Sequence, residues 1–183
     1  MSLRSAREAL EEYRKLCRAD MRRLGGDGRA SASVRRLVTD PGASSVRLYR
    51  VQQLLFAVRL SVLGWFVYRL NFQLHGIEFC PGVEIEGGLV VRHPGGSVLG
   101  KGVTCGSKLT LAHGITLGEK YVDSRSTGKY PKIGNGVTLG VGSRVLGDVR
   151  VADGATIGAG ALVVSDVGPG ELAIGVPARV RDA

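Results

Sequence analysis

The chain has 183 residues, 44% of them apolar and only 5% aromatic, with 28 glycines and a formal net charge of +9. That apolar fraction excludes a disordered chain, and abundant glycine with few aromatics points to short regular turns and small-residue packing. The three cysteines, Cys17, Cys80 and Cys105, form an odd set without a C-x-x-C pair, and the first residues do not read as a signal peptide. A disulfide framework is therefore excluded and a cytoplasmic location is expected, with Cys80 and Cys105 as small buried hydrophobes.

The charge is uneven. Residues 1–76 hold 14 Lys and Arg against 6 Asp and Glu, whereas residues 77–183 hold 11 against 10. A basic segment can meet anionic lipid, nucleic acid or an acidic partner. No nucleic-acid motif accompanies it, so nucleic acid is not expected as a partner.

Residues 1–76 read as an α-helical N-terminal region. Ser5-Ala6-Arg7-Glu8 fits a capping box and predicts a polar helix to about Leu24, ended by Gly25-Gly26-Asp27-Gly28. A shorter helix is predicted over Ala32–Val38, stopped by Asp40-Pro41-Gly42. One apolar helix is predicted from about Ser45 to Leu74. Arg59 interrupts its apolar run, so it does not read as a membrane span. It reads as a helix docked on the domain or on a partner subunit. The weaker alternative is a peripheral contact with the inner face of a membrane, weakened because Arg50, Arg59 and Arg69 do not share one helical face.

From Ile77 the pattern changes. Aliphatic residues recur every six positions at Ile77, Val83 and Leu89, then at Val103, Leu109 and Ile115, then at Ile133, Leu139, Val145, Val151, Ile157 and Val163. A period of six fits neither an ordinary helix nor a simple strand. It predicts a coil of three short strands with a turn at each corner, each aliphatic residue stacking on its counterpart one coil away. The polar stretch from about 119 to 132 (EKYVDSRSTGKYPK) breaks the repeat and reads as a loop extruded from residues 77–183.

The segments GIEFCPGVEI, LVVRHPGG, LTLAHGITLG, YPKIGNGVTLGVGSRVLGDVRV, ATIGAGALVVSDV and GVPAR resemble the hexapeptide-repeat acyltransferases, in particular serine acetyltransferases and their relatives that O-acetylate polysaccharides. The resemblance implies a mainly β fold, a left-handed parallel β-helix. It also implies acetyl-CoA as co-substrate and a homotrimer with active sites between adjacent subunits. No metal-ligand cluster is present in the sequence.

His93 stands where the family carries its catalytic histidine. Glu78, fifteen residues earlier, stands where serine acetyltransferases carry the aspartate that pairs with it. An alcohol is a weak nucleophile, and a histidine base within hydrogen-bond reach activates it by roughly 10²–10⁴-fold. Other positions depart from serine acetyltransferases: Arg92 replaces an aspartate, and Lys129 and Tyr130 replace an arginine and a histidine before Pro131. His113 is a histidine familiar from polysaccharide-modifying relatives.

These departures lead to the expectation of a saccharide or saccharide-precursor hydroxyl as acceptor, with Arg92, Lys129 and Tyr130 as substrate-binding residues and His113 in the active site. Serine O-acetylation is the alternative, and a non-catalytic scaffold a further one. Matching positions make Gly118, Gly140, Ala159 and Gly160 candidates against pantetheine, with Lys132 and Arg179 toward the cofactor phosphates. With Ala183 following shortly after GVPAR, no cysteine synthase complex is expected.

Overall fold

The six-residue repeat folds as three stacked faces, seen in a computed structural model that describes residues 5–24, 36, 38–121 and 128–181. The first face stacks β1 (Ile77–Phe79), β4 (Ser97–Leu99), β7 (Thr116–Gly118), β10 (Arg144–Leu146) and β13 (Leu162–Val163). The second stacks β2 (Glu84–Ile85), β5 (Thr104–Cys105), β8 (Lys132–Ile133) and β11 (Arg150–Val151). The third stacks β3 (Val90–Val91), β6 (Thr110–Leu111), β9 (Thr138–Leu139), β12 (Thr156–Ile157) and β14 (Leu172–Ile174). All these pairings are parallel, and β15 (Arg179–Arg181) returns antiparallel on β14 to close the last edge. The chain is a parallel β-helix preceded by a helical region.

Every aliphatic residue of the six-residue series is buried, from Ile77 to Val163. Each strand buries a second residue beside the series, such as Ile85, Val91, Leu99, Cys105, Leu111 and Leu117 before the loop and Val137, Ala155 and Ala161 after it, and the series changes column at the loop, where Ile133, Leu139 and Val145 stack on Cys105, Leu111 and Leu117. Burial pushes the Cys105 thiol up to about 12, which keeps it a neutral packing group. Cys80, expected to be buried, is only half-buried at a corner.

The first helix, α1 (Ala6–Arg23), starts on the predicted capping box. The Glu8 N–H donates to Ser5 Oγ at 3.2 Å and the Ser5 N–H to Glu8 Oε2 at 2.8 Å. The glycine run after it and most of the shorter helix predicted at 32–38 lie outside the described residues.

The long helix predicted from Ser45 to Leu74 is instead two, α2 (Pro41–Ala57) and α3 (Ser61–His75). Arg59, at φ +65°, makes the break. Its N–H donates to Phe56 O at 3.2 Å, and the Leu60 N–H reaches Leu55 O at 2.8 Å, a Schellman closure with arginine where glycine is usual. Asp40-Pro41-Gly42, read as a stop, starts α2: the Asp40 carboxylate accepts from the Gly42 and Ala43 N–H groups at 2.9 and 3.2 Å.

The helices cover the first coil. Val46 and Tyr49 join the solenoid core, with the Tyr49 ring stacked 4.4 Å from Phe79 and its hydroxyl donating to Val83 O at 3.1 Å. Gly42 is the closest approach. A Cβ there would run into the carbonyl oxygen of Val91, two residues before His93. Gly42→Ala should therefore push α2 off the coil, destabilise the fold by about 1–3 kcal/mol and lower Tm by about 3–9 °C. Thermal melting checks this, and an unchanged Tm would show that the contact yields without cost.

Candidate active site

The edge between the third face and the first face of the following coil carries the two histidines. His93 lies in the corner between β3 and β4, and His113 occupies the same corner one coil on, between β6 and β7. Both are exposed. Their register follows from the parallel pairing of Val90 with Thr110 and Val91 with Leu111. The corners are tied by a backbone ladder: the Gly114 N–H donates to Gly95 O at 2.9 Å, that of Gly142 to His113 O at 2.9 Å and that of Gly160 to Val141 O at 2.7 Å.

His93 itself adopts φ +54°, a left-handed conformation uncommon for a residue with a side chain. The turn is over-determined by its surroundings: the Arg92 N–H donates to Leu111 O at 2.7 Å, and the N-terminus of α2 presses on Val91.

Glu78 lies on β1 and is half-buried. Its Oε2 accepts a 2.6 Å hydrogen bond from the Tyr68 hydroxyl of α3, and among the described residues no ion pair joins it to His93. Burial first, and then the Glu78 carboxylate, raise the Tyr68 pKa above its ordinary value. Sequence reasoning missed Tyr68, because a contact from a helix to a strand ten residues on leaves no periodic signal.

The third histidine, His75, packs at the junction, its Nε2 3.0 Å from Ser44 Oγ, with its pKa lowered by burial.

The remaining candidates divide between edges. Gly140, Ala159 and Gly160 share the histidine edge. A Cβ on Gly140 would strike the backbone of Ala159 and Ile157, so this glycine is required for coil stacking, whereas Gly160 faces open space at φ +69°.

Gly118 and Lys132 flank the extruded loop on the opposite side of the first face, and Arg179 is exposed on the final hairpin. Arg92 is exposed near Arg23, whose guanidinium donates to Gly88 O and Leu109 O at 2.7 Å each. Burial, and then the positive charge of Arg92, lower the Arg23 pKa.

Lys129 and Tyr130 anchor the loop. The Lys129 ammonium pairs with Asp148 at 2.9 Å, and the Tyr130 ring covers Gly100 and Gly102 and packs against the core. Burial, and then the Glu119 carboxylate to which its hydroxyl bonds, raise the Tyr130 pKa.

Comparison with known proteins identifies this solenoid. Residues 130–165 match the family described as bacterial transferase hexapeptide (six repeats). A serine acetyltransferase of Helicobacter pylori is 35% identical over 148 residues, covering 78% of this chain and 82% of the relative. The chain belongs to the serine acetyltransferase family. A second family member, from Synechococcus elongatus, is 30% identical over 144 residues, and there the match spans 79% of this chain but only 58% of the relative. Among solved structures, soybean serine acetyltransferase complexed with serine superposes with a TM-score of 0.82 at 29% identity, over 93% of this chain and 70% of that one.

These relatives overturn the expectation of a saccharide acceptor. The physical reason lies in the loop. Lys129 and Tyr130, whose departure from the family pattern argued for a sugar, hold the loop to the solenoid through Asp148 and the Gly100–Gly102 turn. Each therefore has a structural partner of its own, and its departure from the family pattern does not by itself argue for a sugar.

Proposed function

We propose that the chain transfers the acetyl group of acetyl-CoA to the hydroxyl of L-serine, with His93 as the base. Membership of the serine acetyltransferase family carries this reading, and the exposed His93 on the solenoid edge supports it. The imidazole takes the hydroxyl proton as the serine oxygen attacks the thioester carbonyl. The tetrahedral oxyanion collapses, the carbon–sulfur bond breaks, and the imidazolium returns its proton to the departing thiolate. The products are O-acetylserine and free CoA.

Acetyl-CoA lies along the histidine edge, where Gly160 leaves the backbone open and Ala159 adds only a methyl group. Arg179, paired with Ile174 beside Gly158, stands at the top of that edge, whereas Gly118 and Lys132 stand away from it in one chain. They reach the same ligand only if a neighbouring subunit supplies them, which fits a homotrimer with sites between subunits. Glu78 orients His93. Arg92 borders the acceptor side. Family membership also counts against the expectation that no cysteine synthase complex forms, so such a complex belongs to this reading. Among the described residues no helix is long and apolar enough to cross a membrane.

Thiol release from acetyl-CoA tests the function. Release that depends on L-serine is expected, and no release with L-serine above the acceptor-free rate would overturn it and leave the scaffold reading. His113→Ala refines the site. Because His113 is exposed, its loss should leave Tm unchanged and lower kcat/KM for serine. A fall in Tm with normal turnover would make it a packing residue.

A further inference from the structure

Glutamate at position 78 poses a problem that aspartate would not. It adds a methylene and one more torsion, so a carboxylate meant to orient an imidazole has more freedom to lose. The structure supplies a second point of support. Tyr68 Oη donates to Glu78 Oε2 at 2.6 Å, the short distance typical of a hydroxyl on a carboxylate.

The phenol is itself held. Its ring meets Trp65 edge-on, with centroids 5.5 Å apart, and Trp65 meets Phe56 of α2 in the same way at 5.9 Å. The donor is thus fixed by an aromatic row that runs from α2 through α3 to β1. Among the described residues, Oε1 of Glu78 accepts no hydrogen bond, so one carboxylate oxygen is committed and the other is free.

We infer that Tyr68 is a positioning residue: its hydroxyl holds Oε2 of Glu78 and leaves Oε1 uncommitted for the His93 imidazole. This rests on the proposed reading of His93 and Glu78 as base and orienting carboxylate. The clamp lets a glutamate do what a shorter carboxylate does unaided, and it links the helical region to catalysis. The general physical ground is that an orienting partner which is itself hydrogen-bonded holds the base in one geometry, and small losses of alignment cost rate.

The test is Tyr68→Phe, which removes only the hydroxyl and keeps the ring against Trp65. The expected result is a fall of roughly tenfold in kcat, with KM for acetyl-CoA and Tm unchanged. A merely structural tyrosine would move Tm and leave kcat per folded molecule alone.

The second measurement repeats Tyr68→Phe in a Glu78→Asp background, where the shorter side chain no longer reaches the phenol. There the tyrosine substitution should have no effect, which is the signature of coupling. Equal losses in both backgrounds, or normal kcat for Tyr68→Phe, would overturn the inference. The outcome is separable from the parent reading. If His93→Ala abolishes turnover while Tyr68→Phe is neutral, only the clamp fails. If His93→Ala is active, the reading of the site fails first.

Discussion

Replacing His93 with alanine is expected to lower kcat for acetyl transfer by at least about 10²-fold, because it removes the proposed general base. The structure makes this a clean experiment. His93 is exposed at a corner and contributes no hydrogen bond among the described residues to the fold, so folding should survive its loss. Its left-handed φ of +54° means that alanine keeps the same backbone strain that histidine bears. Acetyl-CoA affinity should hold, since the proposed cofactor path follows backbone at the glycine and alanine positions further up the edge. Steady-state kinetics with L-serine, alongside a thermal melt, measures both quantities. A variant with near-normal kcat would show that the base is another group, and the mechanism would have to be rebuilt around it.

The largest stability effect is expected at a buried ion pair between the helices and the first coil. Arg50 of α2 is fully buried, and its guanidinium pairs with Asp20 of α1 at 2.8 and 3.2 Å. The remaining donors go to Ile85 O at 2.7 Å, Glu86 O at 2.8 Å and Gln53 Oε1 at 2.8 Å. Asp20 in turn accepts from the Gly88 and Leu89 N–H groups at 2.7 and 2.8 Å. One interaction thus joins two helices to the corner between β2 and β3.

Asp20→Ala strands a buried guanidinium and two backbone N–H groups. The expected loss is about 3–5 kcal/mol, the usual result of breaking such a pair from one side. Arg50→Met should cost a similar amount by stranding the carboxylate. The double variant Asp20→Ala/Arg50→Met should be less destabilised than the sum of the singles, because no unpaired charge remains. Equilibrium urea unfolding of the four proteins decides it. A loss below about 1 kcal/mol for Asp20→Ala would mean that water reaches the guanidinium and the pair behaves as an exposed one.

The helical region shows where local reading fails. Its break into α2 and α3 turns on Arg59 in a left-handed conformation, and a search for glycine finds nothing there. Asp40-Pro41-Gly42 carries both stop and start chemistry, and the docking of Gly42 on Val91 selects the start. In the loop, the sequence shows Lys129 and Tyr130 only as departures from the family pattern. Their partners, Asp148 and Gly100–Gly102, lie on other coils and cannot be found by scanning neighbours.

What the sequence determined by itself is the solenoid, its family and the edge residue His93. A six-residue period is local and repeated, so each inward aliphatic residue states its own position, and short motifs such as VRHPGG carry the family with them. The second inward position of each strand is less legible because it includes Cys105, Ala155 and Ala161, together with the buried Ser97 and Ser143, which do not read as core. Only the tertiary structure decided that Tyr68 meets Glu78, that Asp20 and Arg50 meet, and that Lys129 and Tyr130 contact Asp148 and the Gly100–Gly102 turn. Each of these joins elements with no fixed spacing between them, and the pairing depends on how the helices lie on the first coil, which no single segment specifies.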